Sequence, residues 1–217
     1  MTSDAAPAAI VPPLRAWHGL LWTVPFTALW TWLLYALVAL CLEANMTTET
    51  LFRIHLVLGY VAWLLCFGTY VWPRLRSMDG RDAHRAIATL HSFRFFGLVF
   101  ILPGVVSPDL PAGFAVFAAW GDFATGVLAM LALLTVRIRT LFWLFVVAFN
   151  LAGTVDLVVD YYDAMQVGLP AHAEWLGATY AIPIIYVPLL MITHVSAFYF
   201  LARSRLDADA AALAGAG

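Results

Sequence analysis

A chain of 217 residues that is 64% hydrophobic, only 11% charged and of net charge −2 falls outside the soluble range of about 45–50% apolar and about 25% charged residues. A soluble globular fold is excluded, and with no basic stripe so is a nucleic-acid footprint. All 11 basic residues are arginine, so without lysine the chain cannot form a retinal or pyridoxal Schiff base or supply a Walker lysine.

Residues 1–15, MTSDAAPAAIVPPLR, are small, Pro-rich and aperiodic and predict a disordered cytoplasmic tail. Six apolar stretches follow, each long enough for a hydrocarbon layer of about 30 Å at about 1.5 Å per residue. They run from about Ala16 to Leu42, Leu51 to Pro73, Ala83 to Val106, Gly113 to Val136, Thr140 to Tyr161 and Trp175 to Ala202. The first is too long for a signal-peptide core and lacks a compact basic start, so it reads as a retained helix. The expectation is an all-α polytopic membrane protein, a six-helix transmembrane bundle over residues 16–205, with a flexible cytoplasmic tail over 206–217.

Arginines set the orientation, because basic loops are held on the cytoplasmic side. Arg15, Arg74, Arg76, Arg81, Arg85, Arg137, Arg139, Arg203 and Arg205 fall on one side of a six-span chain; opposite them Arg53 stands among Glu43, Glu49, Asp109, Asp163 and Glu174. Both termini are expected inside a bacterial inner membrane. Cys41 and Cys66 lie within helices, no Cys spacing fits zinc, and no metal site is expected.

Charges inside the spans are costly and point to function. Arg94 lies nine residues into the third span and Asp122 nine into the fourth, each about 13 Å deep by helical rise. An Arg94–Asp122 pair near the midplane is therefore expected. Asn150 and His194 fall in the same layer, and His91 sits one turn from Arg94 on the same face. Tyr186 borders the stripe of His194, while Asp156 is expected on a different stripe from Asn150, facing an outer vestibule with Asp160. Each has a plainer reading: the ion pair as a register lock, Asn150 and the two histidines as interhelical hydrogen bonds, Pro183 and Pro188 as bends. His55, His84 and His172 read as boundary or loop residues.

The strings HSFRFFGLVFILPGVVSPDLPAGFAVFAAWGD, FNLAGTVDLV and LGATYAIPIIYVPLLMITHV resemble a group of bacterial integral membrane proteins of uncharacterised function. The resemblance spans about Leu90 to Phe200. It implies a prokaryotic inner-membrane setting and carries no reaction, cofactor or partner.

Three functions suit these residues. The first is a buried polar pocket for a small apolar or amphiphilic molecule such as a quinone, an isoprenoid or a lipid. Arg94, Asn150, Tyr186 and Asp156 would bind this ligand, and His91, His194 and Asp122 would be the acid–base groups of any catalysis. The second is a haem b redox protein with His91 and His194 as axial ligands, haem b being the one cofactor the sequence could accommodate. The third is a proton-linked solute transporter using Asp122, Asp156 and His194; six spans are few for a monomeric carrier, so that reading calls for a homo-oligomer. The partners expected are the lipid bilayer and the small amphiphile.

Overall fold

The computed structural model describes residues 46–214, with side chains to 203, and before them the helical positions 28–29, 31–36 and 39. The chain divides into two units, Met1–Met46 and Thr47–Gly217. The expected tail over 1–15, and most of the expected first span, lie outside the described residues.

The second unit runs α1 (Thr48–Cys66), a π turn (Phe67–Val71), α2 (Trp72–Ser77), α3 (Gly80–His91), a 3-10 stretch (Ser92–Ile101), α4 (Ala112–Leu134), α5 (Arg139–Gln166), a second 3-10 stretch (Leu169–Tyr180), a second π turn (Ile182–Tyr186) and α6 (Val187–Ala214). There is no strand among the described residues. Four helical stretches are long and apolar enough to cross a membrane: Thr48–Ser77, Ala112–Leu134, Arg139–Gln166 and Ile182–Arg203. They give the chain the signature of an all-helical membrane protein.

Local chemistry starts these helices. Thr47 caps α1 by accepting from the Thr50 amide, and Asp79 caps α3 by accepting from the Asp82 amide at 2.8 Å, satisfying donors that a helix start leaves open. Two expected spans are wound differently from a plain α-helix. Beyond His91 the chain tightens to three residues per turn, which brings Arg94, Gly97 and Phe100 above one another; these are the buried residues of the stretch. The expected helix over Trp175–Ala202 is broken at Gly177, which takes φ +50°, and passes through a π turn before α6. Pro183 and Pro188 lack the amides that would close bonds to the carbonyls of Thr179 and Ile184. Their neighbours on α1 adapt: Trp63 donates its indole N–H to the Ile185 carbonyl at 2.7 Å, and the Ile184 carbonyl occupies the space a side chain at Gly59 would need. The backbone of α6 continues to Ala214, through residues whose composition reads as a tail.

Apolar packing forms two clusters along the helices. One gathers Phe67, Leu75, Ile87, Phe142, Val146, Phe149 and Phe200; the other gathers Phe52, Phe100, Phe114, Leu169, Leu176 and Ile182. On α4 the residues between them are Asp122, Thr125 and Gly126, all buried. The 3-10 stretch Leu169–Tyr180 closes over the second cluster, held to the 102–110 loop by Ser107 N–H donating to Trp175 O at 2.8 Å and Ala178 N–H to Val105 O at 3.1 Å.

The meeting of α1 with the second π turn predicts a steric asymmetry between two helical glycines. Gly59→Ala, pressed on the Ile184 carbonyl, should lower stability by about 1–3 kcal/mol, whereas Gly68→Ala, which meets open space, should leave it within about 0.5 kcal/mol. Thermal unfolding of the two variants in detergent checks both.

Candidate functional site

Arg94 is fully buried and lies between two carboxylates. Its Nε and Nη2 both stand 2.6 Å from Asp122 Oδ1, and Nη2 donates to Asp156 Oδ2 at 2.5 Å. Nη1 donates to the Gly153 carbonyl at 3.3 Å and faces His194 Nε2 at 3.4 Å. A guanidinium carries five N–H groups in a fixed fork, and here all three of its nitrogens are engaged by protein acceptors. The expected Arg94–Asp122 pair is present. Asp156 stands about 120° round α5 from Asn150 at 3.6 residues per turn, on a different stripe as expected, but it is buried against Arg94 and does not face an outer vestibule.

The imidazoles continue this network. A guanidinium N–H can only donate, so His194 Nε2 accepts and its proton sits on Nδ1, where it donates to Asn150 Oδ1 at 3.0 Å. Asn150 in turn donates to Val146 O at 2.8 Å. Thr193 gives its hydroxyl proton to the Leu189 and Leu190 carbonyls, 2.9 Å away, so His91 Nε2–H donates to Thr193 Oγ1 at 3.0 Å. His91 Nδ1 is buried with no partner. The two rings touch, with centroids 4.1 Å apart.

Close helix approach makes this clustering feasible. A Cβ on Gly97 would collide with the Asp122 carboxylate, on Gly121 with Asp156, on Gly126 with the backbone at Phe95, and on Gly153 with Arg94 and His194. Small residues at such contacts let polar groups meet across membrane helices. Of these four, only Gly126 stands out in the sequence, as part of the small face of α4; the others carry no local signal.

Six of the seven expected site residues, His91, Arg94, Asp122, Asn150, Asp156 and His194, thus meet in one cluster. Tyr186 stands apart from its hydrogen bonds, its hydroxyl buried without a partner. His84 lies between the exposed Arg81 and Arg85 near the start of α3, yet its side chain is fully buried, edge-on to Trp143 at 5.1 Å between centroids.

Next to the cluster lies a cavity of about 110 Å³, of the order of the engineered apolar cavity of ~150 Å³ that admits benzene. Phe52, Phe100, Phe114, Leu157 and Leu176 supply apolar wall, while Asp122 and Asp160 supply carboxylates. Asp122 alone of the seven expected site residues lines it. Arg94 does not reach it, and neither do His91 and His194.

This geometry restricts the chemistry. Two axial imidazoles stand on opposite faces of a porphyrin, each nitrogen about 2.0 Å from the metal as in other imidazole–metal bonds. Rings in mutual contact, each with Nε2 committed to a protein group, leave no room for that plane, so His91 and His194 do not fit haem b. A proton relay from Asp122 or Asp156 to His194 along these hydrogen bonds would have to pass through Arg94, which does not deprotonate. What the site presents is a buried ion network centred on Arg94, with an apolar cavity on its Asp122 side.

The fold and site define an all-helical membrane protein with a buried charged cluster. Residues 51–202 match the family described as Domain of unknown function (DUF8737), and the chain belongs to that family. No curated protein and no solved structure matches it.

Removing one member of a buried ion network costs more than removing the whole network. Arg94→Met should lower stability by about 3–5 kcal/mol, and adding Asp122→Asn and Asp156→Asn to it should restore much of the loss. Denaturation of the single and triple variants in the same detergent checks this order.

Proposed function

We propose that this protein is a prokaryotic inner-membrane bundle whose function is to bind a small apolar or amphiphilic molecule in the cavity beside the Arg94 cluster. The observation that carries the reading is the cavity itself: apolar along most of its wall, with the Asp122 carboxylate, held by Arg94, in its lining. Ligand sites are typically concave and mostly apolar with a few placed polar groups. Arg94, expected as the ligand's anchor, serves instead to hold Asp122 in place.

Several features support six spans with both termini cytoplasmic. The α3 and 3-10 segments, Gly80–Ile101, total roughly 38 Å at about 1.5 and 2.0 Å per residue, enough for one crossing in addition to the four apolar helices. The apolar stretch over residues 16–42 is long enough for a sixth. Arg74, Arg76, Arg81, Arg85, Arg137, Arg139 and Arg203 are exposed and flank the cluster of Leu75, Ala83, Phe142 and Phe200 at one end, as a cytoplasmic face requires.

Ala164 lines the cavity and is partly exposed, so Ala164→Phe should fill the space with little damage to packing. Mass spectrometry of organic extracts from gently purified protein should find an apolar or amphiphilic molecule with the wild type and at least tenfold less with Ala164→Phe. Equal amounts with both would overturn the reading.

A further inference from the structure

The polar groups on the cavity wall are unequally engaged. Tyr161 shares its hydroxyl with Tyr60 at 2.8 Å, and the exposed Arg53 is paired through Nη2 with Glu49. The carboxylates are less engaged. Asp122, 5% exposed, gives Oδ1 to Arg94, and its second oxygen takes no hydrogen bond. Asp160 makes no hydrogen bond or ion pair, and its Oδ1 is buried without a partner.

Charge is unbalanced in the same direction. Asp160 stands one turn beyond Asp156 on α5, so Arg94, paired with Asp122 and Asp156, is outnumbered by the neighbouring carboxylates. In a low-dielectric interior such an excess attracts a cation more strongly than it would in water. Arg94 does not reach the cavity to receive an anion, and Arg53 is paired with Glu49. The carboxylates are also not gathered as a metal ion needs: among the described residues no three His, Cys, Asp or Glu groups converge on one point. The remaining way to use these oxygens, in a cavity with hydrocarbon walls, is a cation that carries both N–H donors and an alkyl part.

We propose that the cavity selects an organic ammonium, its N–H groups donating to Asp160 and to the free oxygen of Asp122, and its hydrocarbon lying along Phe100, Phe114 and Leu157. Charge-assisted N⁺–H···O⁻ bonds of about 2.7–2.9 Å are the strong members of their class. This specificity rests on the cavity being a ligand site, the reading given above.

The test compares hexylammonium, hexanol and hexanoate, three probes with the same six-carbon chain, for binding to the full chain in lipid nanodiscs by isothermal titration. Hexylammonium should bind the wild type at least tenfold more tightly than the other two. Asp160→Asn, which removes a charge that has no protein partner, should bring hexylammonium to within about threefold of hexanol while hexanol itself is unchanged. Hexanoate or hexanol binding as tightly as hexylammonium would overturn the ammonium assignment and leave the cavity reading standing, provided Ala164→Phe abolishes binding of all three. Failure of every probe to bind, or binding that Ala164→Phe does not touch, would remove both. The wild-type ranking alone decides the headgroup if Asp160→Asn does not fold.

Discussion

A guanidinium with no access to water must find an acceptor for each of its five N–H groups, and that demand organises this protein. Arg94 draws a carboxylate from α4, a carboxylate and a carbonyl from α5 and an imidazole from α6. These partners come from three different helices, so the helices cannot slide or rotate independently without stranding a charge. Stranded charges inside a bilayer cost several kcal/mol or more. Nearby apolar contacts are tolerant of small shifts by comparison, because lipid tails and leucine side chains are almost interchangeable surroundings. Position along the membrane normal is therefore fixed by polar groups, with the two apolar clusters filling the space on either side.

Packing and charge are coupled through absent side chains. Gly97 makes room for Asp122 while Gly126, on the opposite element, makes room for the backbone at Arg94 and Phe95; the two surfaces are notched into each other. Gly121 and Gly153 do the same between α4 and α5 and around the Arg94–His194 contact. The asymmetry of the cavity follows. With the guanidinium engaged on the protein side, the polar groups left unpaired on the cavity wall are carboxylates, so the site's chemistry is set by what Arg94 leaves over.

Much of this was legible in the residues. Hydropathy gave the helices, and counting depth from the span ends put Arg94 and Asp122 at one level, because both lie on helices entered from opposite faces of the bilayer. Asp156 does lie on a different stripe of α5 from Asn150, but the length of the Arg94 side chain, which sequence spacing does not convey, brings it into the cluster and away from an outer vestibule. The ring contact of His91 with His194 and the cavity itself were not legible, since both depend on how far apart α3, α5 and α6 settle, and glycines at positions 97, 121 and 153 look ordinary in a chain rich in small residues. The 3-10 winding after His91 was hidden for a similar reason, as three-residue and 3.6-residue repeats are hard to tell apart over ten residues.

That winding has a mechanical consequence. Ten residues at about 2.0 Å rise reach about 5 Å further than the same ten in an α-helix, a difference comparable to that between thin and thick cellular membranes. Relaxing Ser92–Ile101 to the wider coil would shorten the segment by that amount and swing Phe100 off the axis shared with Arg94 and Gly97. The ion network that keeps this face aligned therefore also holds the segment at its longer reach.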